Sequence, residues 1–438
     1  MSNINYDLYI YLVWALSGVA LVFLLTLSIY YLMFWSVSAK PVPPVPHSDK
    51  KSKFAILIAA RNESAVIRNI FNSLKEQTYD KNYFDPWVIV ESEDDPTVGI
   101  AKEYGYHYFV RDRLEEGRKT KGFALQECIA YFKRENIVYD AYMVFDADNV
   151  MDNNYIEVMN DLRQTGVRVG LGYRNFTNAN TNWLTATSAI LFTYMNQITS
   201  RGRTILFHKA TIMGTGYFID AEVVDDAGGW IFTGMTEDIQ ITTYCYYHDI
   251  YMRYYPLVSF YDEQSSVYKT VHIQHLRWLF GYFERRKFLK VAGVAYDYHT
   301  KGIQSFMRFE FNVGLFPFLI YNIVTGIIFV ISIIFGSLAA VYSPNLYHTL
   351  MIFGIALYSL IMMYLVFVVP AAIAVNRDGD RLGLSKKNKV IAIMTYMFFF
   401  YDFILCFFDG VFHPKKRKTW NEVKHTGEIT NDDAKKAM

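Results

Sequence analysis

The chain alternates between long stretches without charge and a central region patterned in short units. Leu8 to Ala39 holds no charged residue. At ~1.5 Å per residue such a stretch crosses a ~30 Å hydrocarbon core with length to spare. Its start carries Asp7 but no Lys or Arg, and the run is too long for a cleaved leader. A retained anchor over 1–40 is therefore expected. Pro41, Pro43, Pro44 and Pro46 make 41–52 a stiff linker. A second uncharged stretch, Phe311 to Asn376, is too long for one helix. Ser343-Pro344-Asn345 divides it into spans near 318–341 and 347–375. A third apolar block, Val390 to Phe412, contains Asp402 and Asp409. Two acids in such a block need polar company, so it is expected to be irregular or interfacial.

Between these stretches, short apolar runs alternate with amphipathic ones, the pattern of an α/β domain with a mostly parallel sheet and flanking helices. Phe54–Ala60, Val88–Val90 and Tyr142–Phe145 read as strands. Val66, Ile67, Ile70, Phe71 and Leu74 share one helical face, and Ala124, Leu125, Cys128, Ile129 and Phe132 another. The predicted organisation is 1–40 anchor, 41–52 linker, 53–272 α/β domain, 273–310 amphipathic interface helices, 311–413 C-terminal transmembrane region and 414–438 basic tail.

Charge orients this plan. Lys40, Lys50, Lys51 and Lys53 follow the first apolar run, and Arg377, Arg381, Lys386, Lys387 and Lys389 follow the second. Both groups place their side in the cytoplasm. Lys415-Lys416-Arg417-Lys418 places the tail there as well. Three full spans after the α/β domain would bring that tail outside, so either one block, 390–412 foremost, is re-entrant or interfacial, or the tail lies on the unexpected side. Composition agrees with a membrane protein: 52% hydrophobic and 17% aromatic, but only 19% charged, below the ~25% usual for soluble domains. That balance excludes a disordered chain. With 43 basic and 42 acidic residues, no bulk field favours nucleic acid. Cys128, Cys245 and Cys406 are few and far apart, with neither a disulfide framework nor zinc-ligand spacing.

Four clusters carry candidate chemistry. Asp146-Ala147-Asp148 follows a strand directly, and ligands of open α/β sheets bind beyond strand carboxyl ends. Two such carboxylates suit a hard divalent cation that bridges a diphosphate, or they are solvated turn acids. Thr236-Glu237-Asp238 reads either as a capped helix start, with Thr236 as the cap, or as the seat of a general base at Asp238. Gln274, Arg277 and Trp278 fall at i, i+3 and i+4 on one helical face. Arg suits a diphosphate and Trp a sugar ring, whereas the plainer reading is an interfacial helix. Gly214-Thr215-Gly216 permits close backbone approach or is a simple turn. Neither a dinucleotide-binding glycine turn nor a P-loop is present in the sequence.

In that order and spacing, these clusters resemble the processive family 2 glycosyltransferases: cellulose and other β-glucan, chitin, poly-N-acetylglucosamine and hyaluronan synthases. The resemblance covers 53–290 by motif. It implies a GT-A nucleotide-sugar domain, with Asp146 and Asp148 holding Mg²⁺ or Mn²⁺ on the UDP diphosphate. Asp238 would be the catalytic base, with Glu237 beside it, and Gln274 and Arg277 would grip the diphosphate. Trp278 and Gly214-Thr215-Gly216 would meet the acceptor. Lys121 in Lys121-Gly122-Phe123-Ala124-Leu125 is similar to a nucleotide-side Lys-Gly-x-Ala-Leu segment. Ala60, Arg61 and Glu63 are similar to a uridine-contacting segment, and Glu91 stands where many members have an Asp-Asp pair. The tail Trp420-Asn421-Glu422-Val423-Lys424-His425-Thr426-Gly427 resembles a C-terminal element placed near UDP.

The expected activity is inverting, processive transfer from a UDP-sugar, UDP-glucose foremost, to a growing β-linked polysaccharide. Secretion of the polymer through the chain's own channel and residence in the plasma membrane are part of the same expectation. A synthase of the poly-N-acetylglucosamine or chitin type using UDP-GlcNAc, a non-processive lipid glycosyltransferase and a non-enzymatic membrane protein are the alternatives.

Overall fold

The computed structural model describes residues 6–115, 117–291, 316–342, 346–414 and 416. The tail element at 420–427 and residues 292–310 of the predicted interface helices lie outside them. The chain divides into two compact units.

One unit joins the N-terminal residues through Val37 to residues 298–373. Helix α1 (Tyr6–Ser38) contributes Tyr9, Val13, Ala20 and Leu27 to an apolar core with Tyr321, Val324, Ile328, Ala339 and Ile352. Tyr9 is buried there and its hydroxyl lies 2.8 Å from Ser332 Oγ.

The other unit, 38–297 with 374–438, holds an eight-stranded mixed sheet in the order β3-β2-β1-β4-β7-β6-β8-β5. In chain order the strands are β1 (Phe54–Ala59), β2 (Phe84–Val90), β3 (His107–Val110), β4 (Ala141–Asp146), β5 (Val150–Met151), β6 (Val169–Phe176), β7 (Tyr217–Asp220) and β8 (Met252–Asp262). β3, β2, β1 and β4 run parallel; β7 is antiparallel to both β4 and β6. The strand period of two explains how both faces of the sheet are buried. Phe54, Ile56 and Ile58 share a core with Ile67, Ile70, Phe71 and Leu74 of α2 (Ile67–Lys75). On β2, Val88 and Val90 join that core, while Trp87 points to the other face and meets Phe132 of α4 (Lys121–Arg134) edge-on at 4.9 Å.

Register places the site. Ala59 of β1 pairs with both Ile89 of β2 and Asp146 of β4. The carboxyl ends of three neighbouring strands therefore finish level, with Ala60-Arg61, Glu91 and Asp146 along one edge. On the same unit, α9 (Glu237–Tyr247) begins with the acidic pair and α10 (Tyr268–Val291) carries Gln274, Arg277 and Trp278.

The later apolar stretches are helices α11 (Phe316–Tyr342), α12 (Leu346–Asp378) and α13 (Lys386–Phe412). With α1 they give four helices long and apolar enough to cross a membrane. The expectation that 390–412 is irregular is corrected: it belongs to one unbroken helix. Asp402 finds its polar company on α10 and so does not disrupt the backbone. Tyr268 Oη donates to it at 2.6 Å, and the Nδ1 atoms of His272 and His275 each lie 2.7 Å from its oxygens.

Candidate active site

The turn after β4 is tied down from within. Asn149 Oδ1 accepts from Asp146 N at 3.1 Å and from the Thr215 hydroxyl, while its Nδ2 donates to Asp148 Oδ1 at 3.1 Å. Asp146 N also reaches Thr215 Oγ1 at 2.9 Å. The Gly214-Thr215-Gly216 stretch is thereby locked onto the acidic turn. Gly214 and Gly216 have φ of +83° and +66°, values that favour glycine. A Cβ on Gly216 would sit 2.2 Å from the Phe260 ring.

Lys121 opens α4 under a Thr120 cap. Its ammonium donates to Asp146 Oδ1 at 2.5 Å and to Gly214 O at 2.8 Å. The Thr120 hydroxyl donates to Thr233 O at 3.0 Å, tethering this corner to the loop that leads into Glu237-Asp238. Thr236 does not act as the side-chain cap that the sequence suggests. Its side chain packs against α10 at Gly281, where a Cβ would come within 2.4 Å of Oγ1. The absent side chain at 281 lets α10 lie close over the acidic pair.

Electrostatics joins the pieces. Glu237 is buried, and burial pushes its carboxyl up to about 7, against the pull of Lys121. Asp238, which keeps part of its surface open, is also raised by desolvation, with Ile239 N, Lys121, Arg277 and Arg174 opposing. Burial alone would lower the Lys121 ammonium; Asp146, Glu237 and Asp238 outweigh it and raise it. Burial lowers Arg277, with Glu237, Asp146 and Asp238 restoring part of its charge preference. Three acids and two cations brought from β4, α4, α9 and α10 thus feel one another. A Cβ on Gly214 would lie 3.9 Å from Asp238 Oδ2, so the glycine loop borders the same space.

The remaining candidates lie around this centre. Trp278 is half-buried and meets Phe192 edge-on at 5.8 Å. Gln274, one turn before it, is also half-buried. At the level strand ends, Arg61 Nε lies 3.1 Å from Glu91 Oε2, and buried Arg111 lies 3.5 Å from Glu91 Oε1. Ala60 N donates to Ile89 O at 2.9 Å, and the Glu63 carbonyl accepts from Val66 N and Ile67 N to open α2. Sequence reasoning missed Asn149, the hub of the acidic turn, although its place beside Asp148 is a usable signal. It also missed Arg174 at the end of β6. That guanidinium binds Asp262 through Nε at 2.9 Å and Met213 O at 2.8 Å, and it lies over the Phe192 ring. An isolated Arg inside the apolar strand Val169–Phe176 was its only trace.

The architecture is a GT-A-like mixed sheet with flanking helices, and residues 52–281 match the model of "Glycosyltransferase like family 2". That match spans more than half of the sequence, and the chain belongs to this family: it is a glycosyltransferase of the inverting type. It is 24% identical over 84% of both chains to the probable glycosyltransferase YdaM of Bacillus subtilis (strain 168). It is 26% identical to the beta-monoglucosyldiacylglycerol synthase of Trichormus variabilis over 53% of this chain, spanning about half (49%) of that relative's length. In fold it is similar to the mannosyltransferase PcManGT of Pyrobaculum calidifontis, solved with GDP-Man and Mn2+: TM-score 0.55, 12% identity, 90% of this chain and 99% of that one.

Proposed function

We propose that the protein transfers a hexosyl group, glucosyl foremost, from a UDP-sugar to the hydroxyl of a growing β-linked polysaccharide. Asp238 takes the proton of the acceptor hydroxyl as that oxygen attacks the anomeric carbon from the face opposite the diphosphate. A single displacement inverts the centre, by the geometry that inverting glycosidases use with water. Arg277 and Lys121 hold the charge that grows on the departing UDP. Arg277 suits this through its planar fork of donors. Glu237 keeps the base in a poorly solvated setting, Trp278 offers the acceptor sugar a flat face, and Gln274 steadies the diphosphate. Gly214, Thr215 and Gly216 border the acceptor, while Ala60, Arg61, Glu63 and Glu91 line the uridine end. The observation that carries this reading is a distance set: Lys121 Nζ donates to Asp146 Oδ1 at 2.5 Å and to Gly214 O at 2.8 Å, and Asp238 Oδ2 lies 3.9 Å from the Cβ position of the same Gly214.

The same corner suits a divalent cation. Asp146 and Asp148 offer the hard oxygen donors that Mg²⁺ and Mn²⁺ prefer. The Lys121 ammonium, 2.5 Å from Asp146 Oδ1, already marks the place for positive charge. When bound, the ion neutralises diphosphate charge. Basic residues flanking the apolar helices support a plasma-membrane protein whose sheet-bearing unit faces the cytoplasm.

A second reading, transfer of one sugar to a lipid, is favoured by the similarity to beta-monoglucosyldiacylglycerol synthases. Product size decides between them. Purified protein in detergent, given UDP-glucose with Mg²⁺ or Mn²⁺, should yield β-glucanase-sensitive chains of many residues. A singly glucosylated diacylglycerol as sole product would replace the first reading with the second. Absence of any sugar transfer from UDP-glucose, with transfer from UDP-GlcNAc, would overturn the donor assignment.

A further inference from the structure

Helix α10 has a second polar face, turned away from Arg277. His272 and His275 stand at i and i+3 on it, and Asp402 and Cys406 stand at i and i+4 on α13, so each pair projects from one side of its helix. The two pairs meet. His272 Nδ1 and His275 Nδ1 each lie 2.7 Å from an Asp402 oxygen, and Cys406 Sγ lies 3.4 Å from His272 Nδ1 and 3.6 Å from Asp402 Oδ2. The candidate ligand atoms of His272, Asp402 and Cys406 all fall within 4.8 Å of one another. Facing helices that contribute such pairs are how bundle cores build metal sites.

We propose that this cluster is a zinc-class metal site with His272, Asp402 and Cys406 as its protein ligands, and with His275 holding Asp402 from outside through Nδ1. The donor set of one imidazole, one thiolate and one carboxylate suits a borderline ion and not Mg²⁺, and three protein ligands leave a fourth position open. Zinc–sulfur and zinc–nitrogen bonds of ~2.3 and ~2.0–2.1 Å put neighbouring tetrahedral ligands about 3.5 Å apart. The sulfur contacts already have that spacing; the 2.7 Å contact between His272 and Asp402 opens by about 0.8 Å. A separate feature points the same way. The other ring nitrogen of His272, Nε2, lies 3.5 Å from Asp409 Oδ2, which Lys416 and His413 hold in place. Metal-bound histidines regularly turn their free N–H toward such a carboxylate. Binding releases the Cys406 thiol proton, and the His272 proton moves to Nε2, on the side of Asp409. The ion fastens α10, with Arg277 on its other side, to α13.

The test uses full-length protein purified in detergent, stripped with a chelator and reloaded with Co²⁺. A near-ultraviolet sulfur-to-cobalt charge-transfer band is expected. It should vanish in Cys406→Ser, persist in Cys128→Ser and Cys245→Ser, and disappear when zinc is added. An ion held by Asp146 and Asp148 has no sulfur ligand and cannot produce it. Asp409→Asn should weaken zinc binding by ~10–100-fold, read from competition with cobalt. Wild-type protein that takes up no zinc and shows no such band, or a band that survives Cys406→Ser, overturns the proposal and leaves a hydrogen-bonded clamp.

Discussion

Asp238 and Asp402 are both carboxylates enclosed by protein, yet they are provided for in opposite ways. Asp402, 3% exposed, faces Tyr268, His272, His275 and Cys406, so each of its oxygens has two partners. Among the described residues, the Asp238 carboxylate takes one hydrogen bond, from Ile239 N at 2.8 Å, and the residue keeps part of its surface open. A buried carboxylate with full company is a fastener, because any change leaves several groups unpaired. One with little company retains affinity for a proton and space for a ligand, the conditions a general base needs. The helix between them, α10, presents one face to each.

Five experiments would break or sharpen that contrast. The largest effect is expected from Asp238→Asn, which should lower UDP release by ~10²–10⁴-fold while leaving thermal stability near wild type. Turnover close to wild type would remove Asp238 as the base. Asp402→Ala should do the reverse in kind. By stripping Tyr268 and two imidazoles of their acceptor it should cost ~3–5 kcal/mol of stability, seen as a lowered unfolding midpoint in detergent. An unchanged midpoint would show that Asp402 fastens nothing.

Gly281→Ala links the two regions, since its Cβ meets Thr236 beside the acidic pair. Overpacking there should cost ~1–3 kcal/mol and lower turnover as α10 is pushed from Glu237 and Asp238. Full activity with unaltered stability would mean that the close approach is not needed.

The smallest effect is on pH dependence. Desolvation raises Asp238, so its active, ionised form is gained only as pH climbs through a value above the ordinary 3.8. The acid limb of kcat/KM should lie correspondingly high. Glu237, raised from 4.5 to about 7, makes the folded state bind its proton more tightly than the unfolded chain does. Its ionisation therefore weakens the fold progressively between those values. Glu237→Gln should raise the unfolding midpoint above pH 7 and change nothing below 4.5. A gain confined to acid pH would reverse this assignment.

What the sequence determined by itself was local. Runs such as Phe54–Ala60 set strands, uncharged stretches set long helices, and the positions of Asp146, Asp148 and Glu237-Asp238 followed from chain order. Those features depend on periodicity and on neighbours a few residues away. The tertiary structure decided which faces meet. It set the ammonium of Lys121 on Asp146, replaced the expected Thr236 cap by contact with Gly281, and made Asn149 and Arg174 members of the site. It also kept α13 helical by giving Asp402 partners about 130 residues distant in the chain. Burial, pairing and proton affinity are properties of surroundings that strand register and helix packing assemble, and a linear pattern does not contain them.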